Sequence, residues 1–301
     1  MILIDYSQVA LSAILTFQRE LKGTESEVKN LIRHVTLSTL KSYKKKYGKE
    51  YGELVIACDG RSYWRKEIFE HYKASRKKMR ESSDLDWKLI FDTLSEMRDD
   101  ISKHFPYKVI HLNRAEADDV IAVMTEWCQT NNLVREGLVE EAQPVLILSS
   151  DKDFKQLQLA PFSSGNVRQW SPMQKKYVTA SKQEIIDFTI EHIAKGDTGD
   201  GIPNVLSKDD VFVVGERQKP VSAKRLAEFI EKGKDACRTD EERRNWDRNA
   251  RLVAFDNIPE DVKKDIVDTY LNTKPTGDKM SIMNYLIEHR CRLLLDEIEE
   301  F

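Results

Sequence analysis

The residues best placed to do chemistry are acids at the ends of apolar runs. ILID closes on Asp5, LVIACD closes on Asp59, and VLILSS leads directly into Asp151 and Asp153. A fourth group, Glu116, Asp118 and Asp119, opens the helical stretch after YKVIHL, with Glu116 and Asp119 three apart on one helix face. A fifth, Asp197 and Asp200, lies in the glycine-rich stretch KGDTGDGIPN. If these groups converge, they cannot all stay ionised unaided, because neighbouring carboxylates raise one another's pKa. Hard divalent cations with oxygen ligands are the natural counter-charge, magnesium first, with manganese as its substitute. Two such ions about 4 Å apart would activate a water and stabilise the leaving oxygen in phosphodiester hydrolysis.

Each group alone also has an ordinary reading. An Asp at a helix start is commonly an N-cap, and Asp197 and Asp200 suit a turn. Their joint placement favours chemistry, since ligands of an open α/β sheet bind outside the carboxyl ends of its strands. Three separate strands deliver acids to that edge. Other chemistries fit less well. The pair Asp151 and Asp153 resembles an aspartate-based phosphatase, but Lys155 stands where such a site wants Thr. No phosphate-binding G-x-x-x-x-G-K-[ST] loop and no G-x-G-x-x-G is present. The six histidines show no metal spacing and read as surface or core residues, and Trp127 and Trp170 read as core or domain-interface residues.

The elements that must carry these acids alternate along the first half of the chain. Residues 2–5, 54–59, 107–112 and 145–150 are apolar runs without period-two alternation, as in buried parallel strands. Helical patterns lie between them: Val28, Leu31, Ile32, Val35 and Thr39 recur at steps of three and four, and 85–104 and 115–130 are helix-length. Alternating strands and helices predict βαβ units and a mostly parallel sheet flanked by helices. Beyond residue 165, NVRQWSPMQKKYV predicts two brief strands, and the rest reads as helical. Ile186, Ile190 and Ile193 share one predicted face, and Ile282, Tyr285, Leu286, His289 and Leu293 another. A 301-residue chain suits about two domains. The expected boundary is at 182, with an α/β catalytic domain over 1–182 and a helical duplex-binding domain over 183–301.

Hydrophobic residues at 40% exclude wholesale disorder, while charged residues reach 33%, against roughly 25% in typical globular chains. The net charge of -3 conceals a segregation: residues 61–80 hold eight Lys/Arg against two Glu. Tyr63, Trp64, Phe69 and Tyr72 are interleaved with those charges, a mixture that suits a surface tracking phosphates and stacking on bases. The segment from about 61 to 84 is therefore expected to form a basic arch, with Arg65, Lys66, Lys73, Arg76, Lys77, Lys78 and Arg80 facing nucleic acid. The backbone of Gly199 and Gly201 is expected to offer N–H groups to a duplex phosphate. The four cysteines are scattered, which predicts neither a zinc site nor disulfides and suits a reducing cytoplasm. No apolar run approaches the roughly 18 residues of a membrane span, and Met1-Ile-Leu-Ile-Asp predicts no signal peptide.

The ordered set ILIDYS, ACDG, YKASR, EADDVIAV, LSSDKDF and GDTGDGIPN resembles the 5′-nuclease, or flap-endonuclease, family. WRKEIF before YKASR, the central QWSPMQKKYV and the later GERQKP are similar to its ribonuclease H branch. The resemblance implies a 5′→3′ exonuclease with flap endonuclease activity on RNA–DNA and DNA–DNA duplexes, which removes lagging-strand primers. It implies metal ligands or their supports at Asp5, Asp59, Glu116, Asp118, Asp151 and Asp153, with Asp119 matching the last acid of the family's EADD. Asp197 and Asp200 would complete a second ion's shell, partly through waters. Lys73 and Arg76 would hold the scissile phosphate and the 5′ strand.

The family's GDxSDNIPG stands here as GDTGDGIPN, in a helix-hairpin-helix-like turn, and the glycine-rich turn that usually follows is replaced by VVGERQKPVSAKR. Implied partners are branched or nicked duplex DNA, RNA–DNA hybrids, a single-strand-binding protein and a sliding clamp, though the tail LLLDEIEEF shows no docking motif. The expected state is a monomer in the cytoplasm, that of the host if the source is a phage. The rival expectation is a catalytically inert DNA-binding replication scaffold of the same fold. A full set of acids argues against it, since a pure binder gains nothing from carboxylates facing a polyanion.

Overall fold

The computed structural model describes residues 1–74, 76, 84–131, 134, 137 and 141–301. Its contacts group the chain into two compact units: Met1–Gly60, Asp84–Val178 and Lys263–Phe301 form the first, and the described residues of Arg61–Ser83 join Thr179–Val262 in the second.

The first unit is built on a six-stranded sheet. Its strands are β1 (Ile2–Asp5), β2 (Leu54–Cys58), β3 (Lys108–His111), β4 (Val145–Leu148), β5 (Val167–Ser171) and β6 (Lys176–Val178), in the order β3-β2-β1-β4-β5-β6. All neighbours pair in parallel except β5 and β6, which are antiparallel. The strands expected from the apolar runs are present, each ending within two residues of its expected end. β1, β2 and β4 are buried at every position, as parallel strands covered on both faces must be. One face packs against α1 (Tyr6–Ile14), α2 (Glu25–Tyr51) and α4 (Trp87–His104) through residues such as Ile4, Ile56, Leu148, Ile32, Met97 and Ile101. Leu3, Val55 and Ile147 alternate to the opposite face, where α5 (Ala117–Thr130) lies against β1, β2 and β4.

The chain's last segment returns to this unit. Tyr270, near the end of α9 (Glu260–Asn272), bonds Glu53 through its hydroxyl and packs on Trp127 at 5.3 Å between rings. Tyr285 of α10 (Lys279–Glu288) bonds Asp100, and Phe301 packs on Phe105. The expected face of α10 holds for the buried Ile282, Tyr285 and Leu286 but not for Leu293, which is 77% exposed. The helix stops at Glu288 and Arg290 takes a φ of +56°, so the period slips and Leu294 is buried in its place.

The second unit contains α3 (Trp64–Ile68), α6 (Lys182–Lys195), α7 (Ala223–Lys232) and α8 (Asp240–Val253). Ser181 and Glu184 form a capping box that starts α6. Ile185, rather than the expected Ile186, is its buried residue in the first turn, followed by Ile193. After α6 and its glycine turn the next helix begins only at Ala223. Buried Asn245, Arg248 and Asn249 of α8 hold the irregular stretch between: Asn249 donates to the carbonyls of Ile193 and Pro203, Arg248 to that of Pro203, and Asn245 to those of Val205 and Ser207. These bonds satisfy backbone groups that no helix or strand pairs.

Candidate active site

At the carboxyl edge of the first unit's sheet, β1 has β2 on one side and β4 on the other, so the chain order reverses beside β1. This switch point is where α/β sheets bind ligands. Asp5 ends β1, and its Oδ1 caps α1 by accepting from Gln8 N–H at 3.1 Å. Asp59 follows β2 and accepts from Ala117 N–H at 3.0 Å, joining that strand to the start of α5. The approach is close enough to require glycine next in sequence, because a Cβ on Gly60 would meet the Leu112 carbonyl oxygen at 2.2 Å.

Glu116 and Asp119 are buried and form a reciprocal capping box at the head of α5, where Asp119 accepts from Glu116 N–H at 2.9 Å. Asp119 is thus turned back on the helix terminus, while Asp118 between them is partly exposed. Asp151 follows β4 and accepts from Asp153 N–H at 2.9 Å, which starts the 3₁₀ turn Asp153–Gln158.

Three of these acids, Asp5, Asp59 and Asp151, act on one another. The Asp5 carboxyl is pushed up to about 7 by burial and then by the charges of Asp59 and Asp151, against the opposing bonds from Gln8 and Ser149. A buried acid surrounded by acids is a donor set for a hard cation: all oxygen, with excess negative charge that the cation would relieve.

Asp197 and Asp200 belong to the second unit. The backbone of Asp197 exchanges bonds of 2.9 and 2.7 Å with Ile202, closing the turn. Gly196 takes a φ of +67°, and a Cβ there would lie 2.3 Å from the Ile202 carbonyl oxygen. Asp197 Oδ1 accepts from the N–H groups of Gly199 at 2.7 Å and Asp200 at 3.2 Å, and Oδ2 faces His192 Nε2 at 3.1 Å. The bond from His192 is the first cause holding the Asp197 carboxyl down to about 2. Asp200 accepts from the Tyr72 hydroxyl at 2.9 Å, pairs with the Arg76 guanidinium, and has Lys73 Nζ at 3.9 Å.

The basic segment differs from its sequence reading in three ways. Arg65 is buried: its Nε donates to the Leu252 carbonyl and its guanidinium covers the Trp64 ring, so its charge is turned inward. Trp64, Phe69 and Tyr72 are buried too, and Phe69 and Tyr72 cluster with Ile202, Leu252 and Val253 in place of stacking on bases. Gly199 N–H is engaged by Asp197 and Gly201 N–H by the Thr198 carbonyl at 3.2 Å, so neither is directed at a phosphate. Lys66 is exposed, and Lys73 lies between the rings of Tyr63 and Tyr72 at 5.2 and 5.1 Å. Lys77, Lys78 and Arg80 lie outside the described residues. Sequence reasoning missed His192, which reads as an ordinary histidine until its place in the last turn of α6, five residues before Asp197, is noticed.

Residues 1–187 match the family model described as the 5′-3′ exonuclease N-terminal resolvase-like domain. The chain belongs to the 5′-3′ exonuclease family. Residues 183–301 of this chain match the C-terminal domain of T4 RNase H. It is 32% identical to the ribonuclease H of Enterobacteria phage T4 over 99% of this chain and 95% of that one. Against flap endonuclease Xni of Shewanella woodyi it is 29% identical, over 50% of this chain and 54% of Xni.

Its fold matches the 5′-exonuclease of bacteriophage T5 with bound zinc, at a TM-score of 0.58 and 16% identity over 91% of this chain and 98% of that one. It also matches the T5 flap endonuclease solved with DNA and metal ions, at 0.58 and 17% over 90% and 99%. Membership makes the chain a nuclease, a hydrolase of phosphodiester bonds. No helix among the described residues is long and apolar enough to cross a membrane.

Proposed function

We propose that this chain is a magnesium-dependent 5′→3′ exonuclease and flap endonuclease that cleaves RNA–DNA and DNA–DNA duplexes from the 5′ end and removes lagging-strand RNA primers. The observation that carries the reading is the placement of Asp5, Asp59 and Asp151 at the ends of adjacent strands at the switch point, where burial and the other two charges raise the Asp5 carboxyl to about 7. Two magnesium ions, or manganese in their place, would supply charge neutralisation at the scissile phosphate and acidity for the attacking water. Asp5, Asp59, Glu116 and Asp151 are assigned to the first ion, with Asp118 and Asp153 as further ligands or supports. The family motif alone assigns Asp197 and Asp200 to the second ion's shell, through waters. Asp119 is assigned to holding Glu116.

Lys66, Lys73 and Arg76 are the described cations assigned to the 5′ strand. Substrate choice then follows phosphate geometry with no base reading, so affinity should fall steeply with salt. A monomer in the host cytoplasm, working beside a single-strand-binding protein and a sliding clamp, completes the proposal on resemblance alone.

The test is cleavage of a labelled 5′-flap DNA and a labelled RNA–DNA hybrid over a magnesium titration. Release of short 5′ products from both, abolished by chelator, is expected. Tight binding of the flap substrate with no cleavage at any magnesium or manganese concentration would overturn the reading.

A further inference from the structure

Two buried polar side chains outside the acidic set hold the loop that carries Asp151. Ser149 is wholly buried, donates from Oγ to Asp5 Oδ2 at 3.1 Å, and accepts from Asp151 N–H at 3.1 Å. Gln169 of β5 is wholly buried too, and its Nε2 donates to the carbonyls of Ser149 at 3.0 Å and Asp151 at 2.5 Å. Both partners of Gln169 are acceptors, so only its amide nitrogen can face them, and a flipped amide would set oxygen against oxygen. That orientation leaves Gln169 Oε1 buried with no hydrogen-bond partner among the described residues. An unpaired buried acceptor is unfavourable and calls for a compensating role.

We infer that Ser149 and Gln169 are positioning residues that preset Asp5 and Asp151 for a divalent cation. Asp5 and Asp151 stand at the same ends of the paired strands β1 and β4, where like charges would push them apart. The Ser149 hydroxyl has one proton, and giving it to Asp5 fixes its lone pairs toward Asp151 N–H, so one oxygen ties the two acid-bearing segments together. Gln169 fastens the same backbone at both ends of the step from strand to acid. The residue between is held as well: Ser150 N–H donates to Gln8 Oε1 at 3.2 Å, and Ser150 Oγ bonds Ser171 Oγ at 2.9 Å. Every residue from Ser149 to Asp151 is thereby fixed from α1 or β5. Such an arrangement resists repulsion before the cation arrives, which is the role of outer partners at metal sites.

The ordinary alternative is loop bracing with no consequence for metal. Gln129 supplies the control. It is also buried, donates to the Gln143 carbonyl at 2.9 Å, and accepts from Ser164 N–H and Oγ, beside the opposite end of β4.

The inference rests on the metal reading of the acidic edge, so the experiment separates the two. Mn²⁺ alone is titrated into the full chain, without nucleic acid, and free Mn²⁺ is followed by electron paramagnetic resonance, with thermal melting in parallel. Ser149→Ala and Gln169→Met should weaken the Mn²⁺ affinity roughly 10- to 100-fold, with cleavage largely recovered at saturating Mn²⁺. Gln129→Met should lower the melting temperature comparably and leave the affinity at the wild-type value. Affinities within twofold of wild type in Ser149→Ala would overturn the inference, and that variant decides if Gln169→Met does not fold. Failure of the wild-type chain to bind Mn²⁺ would instead sink the metal reading itself.

Discussion

Asp197→Asn isolates the charge that closes the glycine turn. The amide keeps an oxygen for the N–H groups of Gly199 and Asp200 and removes the negative charge facing His192 Nε2. In the wild-type chain the His192 bond outweighs burial and holds Asp197 down to about 2, from an ordinary 3.8. One pKa unit corresponds to about 1.4 kcal/mol, so the ionised carboxylate contributes about 2 kcal/mol to the folded state. With 25% of the side chain exposed, solvent screening lowers this toward about 1.5 kcal/mol. Because the folded pKa is depressed, that stability is complete above the unfolded value near 4 and disappears as pH falls through about 2. Urea unfolding followed by tryptophan fluorescence, at pH values from 7 down to 2.5, measures the gap between wild type and variant. The expected gap is about 1.5 kcal/mol at pH 7 and narrows steadily below pH 4. A loss under about 0.5 kcal/mol at pH 7, or a gap unchanged at the acid end, would refute the assignment.

The sign reverses at Asp5, whose folded pKa is raised to about 7. Metal-free stability should fall as pH rises from about 4 toward 7, and Asp5→Asn should raise the metal-free melting temperature at pH 8 while cutting magnesium-dependent cleavage by orders of magnitude; scanning fluorimetry with chelator checks the first, a flap assay the second. Asp200→Asn removes the carboxylate charge opposite Lys73 and Arg76, so flap binding measured in calcium should hold or tighten, at a stability cost of about 1 kcal/mol. Gly196→Ala places a Cβ 2.3 Å from the Ile202 carbonyl oxygen at a φ of +67°, and should cost at least about 2 kcal/mol by thermal melting while Gly52→Ala, where a Cβ meets nothing, costs less.

The sheet was legible because its strands are continuous apolar runs, and burial of β1, β2 and β4 on both faces requires that composition. The acids at their ends were legible for the same reason: once strand direction is known, the carboxyl edge follows. What the sequence concealed depends on partners far along the chain. Trp64, Phe69 and Tyr72 look like a stacking surface until Ile202, Leu252 and Val253 cover two of them. Arg65 looks like a phosphate contact until the Leu252 carbonyl, 187 residues away, accepts a hydrogen bond from its Nε–H. Ser149 and Gln169 carry no motif at all, and only the pairing of β4 with β5 brings Gln169 beside the loop it holds. Helix faces were legible to within one residue, as the exchange of Ile186 for Ile185 shows, and failed where a positive φ at Arg290 broke the period.

Carboxylates that look alike in the sequence divide by what balances them. Asp197 is met by His192 and two backbone N–H groups, and Asp200 by Tyr72, Lys73 and Arg76. These charges are answered within the protein and stabilise its fold without an ion. Asp5 receives the Gln8 N–H and the Ser149 hydroxyl, yet burial and the charges of Asp59 and Asp151 outweigh both bonds. A chain that buries one carboxylate and sets two more against it carries a cost in the folded state that protonation or a cation can lift. At neutral pH the cation does so without removing the charge that the phosphate chemistry needs. Binding is then linked to folding: an ion at 100 times its dissociation constant adds about 2.7 kcal/mol. The same change of Asp to Asn should therefore have opposite signs in the metal-free chain, stabilising at residue 5 and destabilising at residue 197. That opposition follows from charge balance alone: Asp5 needs a proton or a cation to relieve its burial, whereas Asp197 is already balanced by the protein and any ion it meets through water adds to that balance.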